Sequence, residues 1–291
     1  MKGRIMGLYE DIAHIAADLP GRLGVAVRFL ENGEDVFYHA DDVFPSASVI
    51  KVAILVALYQ AAHEGQIGLD DRLEIPAMRV AGSGVLRHLA AGLTPTARDL
   101  AWLMITISDN VATNMLIAAL GVERINRTIK ELGLTATTLH RPISFDVSGH
   151  FAETTPRDMM RLLVSLATET TVGTETMIGA DASNEMLSML KECQGTDGIP
   201  RHLPIHDRDN KDGPPPIEIA HKTGSIDGVR NDVGIVYLND AILPVRYILS
   251  VFTADVADDA LWTPENIATR AVAAVSRLVY QAARARSSAK L

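Results

Sequence analysis

Leu23-Gly24-Val25-Ala26-Val27-Arg28-Phe29-Leu30, Glu31-Asn32-Gly33-Glu34 and Val36-Phe37-Tyr38-His39 follow one another near the start of the chain. Two β-rich runs around Asn-Gly predict a hairpin. Before it, Leu8, Ile12, Ile15, Ala16 and Leu19 recur at helical spacing, and Pro20-Gly21 ends that helix. β-signals return only near the other end, at 217–221, 232–238 and 246–252, followed by an amphipathic helix over 264–283. The stretch between is helical. One antiparallel sheet built from both ends, flanked by the terminal helices, buries these faces most simply. The fold class expected is therefore α/β (α+β) with an inserted all-helical domain. The sheet domain is assigned to 1–45 and 195–291 and the helical domain to 46–194, with a ligand cleft between them.

Within the insert, 49–63 is apolar on most sides, which predicts a buried helix opened by Ser48. Further helices are expected over 96–107, 111–120, 122–132, 156–167 and 182–192. Thr94-Pro95-Thr96-Ala97-Arg98-Asp99 and Thr154-Thr155-Pro156-Arg157-Asp158 both read as helix starts, with hydroxyl caps, an early proline and a following acid. Residues 139–155 have no clear period and read as a long loop, as do 195–216.

The net charge of −9 leaves no electrostatic footprint for nucleic acid or anionic lipid. Cys193 is the only cysteine, so no intrachain disulfide forms and a Cys/His zinc cluster is excluded. No cofactor is implied. No apolar run is long enough for a membrane span, and the first residues lack a secretory core. The chain as written is expected in the cytoplasm, or secreted or periplasmic if a leader has been removed, and as a monomer.

Three short strings carry chemistry: Ser48-Val49-Ile50-Lys51, Ser108-Asp109-Asn110 and Lys222-Thr223-Gly224. Ser48 and Lys51 share a helix face at this spacing. A serine hydroxyl needs a base, and a lysine is a base only when burial or a second cation keeps it neutral. Lys222 supplies that cation and attracts a substrate carboxylate. Ser108 relays protons between Lys51 and a leaving nitrogen. Asn110 offers an amide to a substrate carbonyl, and Asp109 braces its turn. Thr223 binds the carboxylate, Gly224 lets the backbone come close, and the N–H groups of Ser225 and Ser48 complete an oxyanion hole.

In this order the strings resemble the signature of class A β-lactamases and their penicillin-binding relatives. Phe44-Pro45-Ser46-Ala47, Leu93-Thr94 with Arg98-Asp99-Leu100, Met104-Ile105-Thr106-Ile107 and Val111-Ala112-Thr113-Asn114-Met115-Leu116-Ile117 extend the likeness over most of 23–285. The resemblance implies a mixed α/β domain with an inserted helical domain. It also implies that Arg230, in the turn after the Lys-Thr-Gly strand, helps bind a carboxylate.

The chain departs from that family in the loop 140–153. Class A β-lactamases carry Glu-x-x-Leu-Asn there, whose glutamate activates the deacylating water. Here the loop is shorter and has no such string. Asp146 is the nearest carboxylate for that role, with His150 and His140 as alternatives, while Glu153 resembles the family's structural acid. His202 and His206 are separated by Pro204 and do not read as a metal pair. Asp207-Arg208-Asp209-Asn210-Lys211-Asp212-Gly213 fails the calcium-loop pattern at its fifth position. The leading expectation is a β-lactam hydrolase acting through acyl-Ser48 on a small carboxylate-bearing substrate. An esterase or D-amino-acid peptidase with the same site, and a non-catalytic binder, are the alternatives.

Overall fold

The structure is a computed structural model and describes residues 2–168, 179–205, 216–239, 245–257 and 262–288. The expected hairpin is present. Strand β1 (Arg22–Phe29) pairs antiparallel with β2 (Glu34–Tyr38), Val27 opposite Val36. Gly33 takes φ +69° in the turn, and the Asn32 side chain accepts the Glu34 N–H at 3.0 Å.

The other edge of β1 pairs antiparallel with the last strand, β8 (Val245–Ala254). Strands β7 (Val229–Leu238) and β6 (Ile217–Ile226) complete the order β2-β1-β8-β7-β6. Side chains alternate across this sheet, as the strand period requires. Val25, Val27, Val236, Leu249 and Val251 pack on the terminal helices α1 (Lys2–Ala17) and α8 (Ile267–Ser288). Ala26, Val233, Ile235, Ile248 and Phe252 join the core of the helical segment on the opposite face. The sheet is thus buried on both sides.

At the centre of that second core lies α2 (Lys51–His63), buried from Lys51 to Ala61, as its all-round apolar pattern predicts. Ser48 does not open this helix directly. It lies in a 3₁₀ turn, Ala47–Ile50, that precedes α2, and Lys51 is the first α-helical residue. Around α2 stand α3 (Ala97–Thr106), α4 (Asn110–Leu120), α5 (Val122–Glu131), α6 (Pro156–Thr168) and α7 (Ala180–Lys191). Thr96 and Asp99 form a reciprocal capping box at the head of α3, and Thr155 Oγ1 accepts the Asp158 N–H at the head of α6.

The segment 139–155 is less irregular than its sequence suggests. Its ends belong to β4 (Thr138–Leu139) and β5 (Ala152–Thr154), and β5 pairs with β3 (Phe44–Pro45), just before Ser48. Strands of two or three residues are too short to show a period. Their effect is to fasten the loop to the serine turn. His206 and the segment 207–213 lie outside the described residues.

Candidate active site

Ser48 is half-buried at the wall of a cavity of about 850 Å³. Asn110, Ser225 and the loop from Arg141 to Phe151 line the same space. Close approach of β6 makes this possible. A Cβ on Gly224 would sit 2.9 Å from Ser46 O, 3.0 Å from Ser48 N and 3.1 Å from Val49 N. All three are backbone atoms, so Gly224→Ala must move the strand from the serine turn. We expect about a 100-fold loss of acylation rate with the fold retained, read by stopped-flow and circular dichroism.

Lys51 is wholly buried. Its Nζ stands 2.8 Å from Ser108 O, 3.0 Å from Ser108 Oγ and 2.9 Å from Asn110 Oδ1. Burial holds its pKa well below that of an ordinary lysine; Lys222 pushes the same way and Asp109 opposes. Ser108 O, Ser108 Oγ and Asn110 Oδ1 all accept from the Lys51 amine. Ser108 reaches this position with φ +57°, and Ala47, beside Ser48, has φ +45°. Such conformations cost energy in non-glycine residues and cluster at functional sites.

Lys222 is also fully buried and donates to Thr223 O at 2.9 Å. Burial lowers its pKa, while Cys193 and Asp232 raise it. Behind it, His221 Nδ1 lies 2.9 Å from Asp232 Oδ1, and Asp232 Oδ2 accepts the Ile199 N–H at 2.7 Å. Burial disfavours the His221 imidazolium, but Asp232 and the Cys193 sulfur outweigh it and raise the pKa to about 10.

Asp109 braces its turn, as expected. Its Oδ1 accepts the N–H groups of Val111 and Ala112, and its Oδ2 those of Val85 and Leu86, at 2.7–3.0 Å. Asp109→Ala strands these donors in a buried site. We expect a stability loss of about 3 kcal/mol by urea denaturation.

Asn110 donates from Nδ2 to Ala81 O at 3.1 Å while its Oδ1 meets Lys51, so both ends of its amide have protein partners. Thr223, Ser225 and Arg230 meet in a smaller compartment of about 230 Å³, beside the serine cavity. Asp146 is exposed and is not part of the cavity wall; its N–H donates to Ser144 Oγ at 3.3 Å. His150 lines the cavity, whereas His140 Nε2 lies 3.5 Å from Glu153 Oε2. Among the described residues, no group of three His, Cys, Asp or Glu side chains is placed to hold a metal ion. No helix among them is long and apolar enough to cross a membrane.

Two features escaped the sequence. Asn114 grips the backbone of Ile143 from both sides, Nδ2 to Ile143 O and Ile143 N–H to Oδ1, each at 2.9 Å. This places the buried Ile143 in the cavity wall. Arg141 staples the loop by donating to the carbonyls of Ser144, Val147 and Gly149 at 3.1, 2.9 and 2.7 Å. An arginine near the head of a long loop rich in unpaired carbonyls was the available signal for the second. Nothing local signals the first.

The sequence matches the model of the β-lactamase enzyme family over residues 7–283. The chain belongs to that family. Solved relatives include a β-lactamase from Sphaerobacter thermophilus, 29% identical, with TM-score 0.82 over 96% of this chain and 98% of that one. PBP-A is 29% identical, with TM-score 0.80 over 95% of each chain. A mutant of PBP-A, 28% identical, was solved as an acyl-enzyme complex with penicillin G. Among curated proteins, β-lactamase PSE-4 of Pseudomonas aeruginosa is 26% identical over 133 residues, 45% of this chain and 46% of its own length. The chain thus spans about half the length of the curated relatives it matches. Family and fold agree with the mixed α/β architecture expected.

Proposed function

We propose that Ser48 is acylated by β-lactams and related carboxylate-bearing acyl donors, and that release of the acyl group is the slow step. The observation that carries this reading is the buried Lys51 amine, held to Ser108 and Asn110 beside the serine turn. Ser48 Oγ attacks the carbonyl carbon and its proton passes to neutral Lys51. The C–N bond breaks as Ser108 hands a proton from Lys51 to the leaving nitrogen. Lys222 keeps Lys51 neutral, and Thr223, Ser225 and Arg230 receive the carboxylate. The backbone N–H groups of Ser48 and Ser225 stabilise the oxyanion.

Slow release follows from the loop. The wall it contributes holds Ile143, Phe145, Val147 and Phe151 beside Arg141, Ser144 and His150, and no carboxylate. Ester turnover by the same site is the second reading, favoured by the lack of a carboxylate in the loop's share of the wall and by the low barrier to ester acylation.

Incubation with a chromogenic cephalosporin and with a p-nitrophenyl ester, followed by intact mass, tests the proposal. A stoichiometric adduct that persists and is absent in Ser48→Ala is expected. Steady, fast cephalosporin turnover contradicts slow release, and no adduct with either compound contradicts acylation.

A further inference from the structure

Trp262 is far along the chain from Ser48, yet its side chain reaches the site. It lines both the serine cavity and the smaller compartment of Thr223, Ser225 and Arg230. Among the described residues, only Ser225 shares that position with it. The indole lies over the Arg230 guanidinium, with Cζ 4.5 Å from the ring centroid. Trp262 is 62% exposed and Arg230 only 7% exposed, so the ring is the solvent-side cover of a buried cation. Below it, Arg230 Nη1 donates to Ile226 O and Val229 O, both at 2.8 Å. These carbonyls belong to the ends of β6 and β7, so the guanidinium is held between that turn and the indole.

We propose that Trp262 determines specificity by covering the Thr223–Ser225–Arg230 compartment, so that the site selects acyl donors carrying a free carboxylate. This rests on the acyl-transfer reading above. The cover acts in two ways. Contact with the ring orients the guanidinium. Excluding water lowers the local dielectric and strengthens attraction between Arg230 and an entering carboxylate. That strengthening is needed because Asp197 and Asp232 line the same compartment. Asp232 is already bonded to His221 and to the Ile199 N–H. A neutral ester makes no use of this cover, because it brings no charge to be paired.

Two measurements test the proposal. In Ser48→Ala, which binds without chemistry, benzylpenicillin should produce a saturable change in tryptophan emission. The change should be lost when Trp262→Phe is added, since Trp102 remains as the other tryptophan. Benzylpenicillin methyl ester should produce no change at the same concentrations. In the otherwise native chain, Trp262→Ala should raise the half-saturating benzylpenicillin concentration for acylation about fivefold. The change for p-nitrophenyl acetate should be much smaller, and Trp262→Phe, which keeps a ring, should restore most of the loss. No saturable emission change, or equal effects on the penicillin and the neutral ester, overturns the proposal. A saturable emission change in a protein that never forms a covalent adduct leaves the cover standing and overturns the acyl-transfer reading instead.

Discussion

Lys51→Met is expected to lower the rate of Ser48 acylation by about a thousandfold, the scale of a lost general base. Methionine fills similar space but cannot accept the serine proton. Mass spectrometry at early times, with a penicillin and with an ester, reads the effect on both. The pH dependence has a definite sign. Only neutral Lys51 accepts a proton, and burial together with Lys222 lowers its pKa. Acylation should therefore rise with pH through that depressed value and then level off, well before an ordinary lysine titrates. Stability carries the same signature. Between the depressed folded value and 10.5, its ordinary value, the unfolded chain binds a proton at Lys51 that the native chain does not. Lys51 thus makes stability rise with pH across that interval and fall as pH drops through the folded pKa. Lys51→Met should remove its share of the slope, while Lys222 keeps a smaller share of the same sign. Urea midpoints across pH check this. A variant that acylates at the native rate would remove Lys51 from the mechanism.

Ile143→Glu is expected to speed loss of the acyl group about 100-fold, the lower end of what a positioned base contributes. The geometry singles out this position. Asn114 fixes the Ile143 backbone with two hydrogen bonds, and α4, which carries Asn114, begins at Asn110 of the site. The Ile143 side chain is buried and lines the cavity that Ser48 lines. A glutamate there loses hydration, which raises its pKa toward that of a useful base. The same desolvation should cost about 2 kcal/mol of stability. The lifetime of the penicillin adduct, followed by mass after removal of excess reagent, checks the first effect, and thermal unfolding the second. Asp146→Asn serves as the contrast. Asp146 is exposed and outside the cavity wall, so its replacement should leave the adduct lifetime unchanged.

Much of the acylating half was legible along the chain. Ser48 and Lys51 fall three apart where a helix begins, and that spacing carries its meaning locally. The β-rich runs at 23–39 and 217–252 show their period without help from the rest of the chain. Asp109 was readable as a brace, because an acid between two apolar helices is in cap position, although its service to Val85 and Leu86 was not. The boundary at Ser48 was misplaced because a 3₁₀ turn and the first turn of an α-helix share their apolar spacing.

By itself, the sequence determined that a serine, two lysines and a second serine stand on a sheet-plus-helices frame, because periodicity and short-range spacing are properties of neighbouring residues. Only the tertiary structure decided what surrounds them. Asn114 meets Ile143 across 29 positions, and Trp262 covers Arg230 from a separate segment of the chain. The pKa of Lys51 is depressed because packing removes water from it and brings Lys222 near. Burial, long-range contact and electrostatic field arise only when distant segments are packed together, and here they set the surroundings of Ser48 and Lys51.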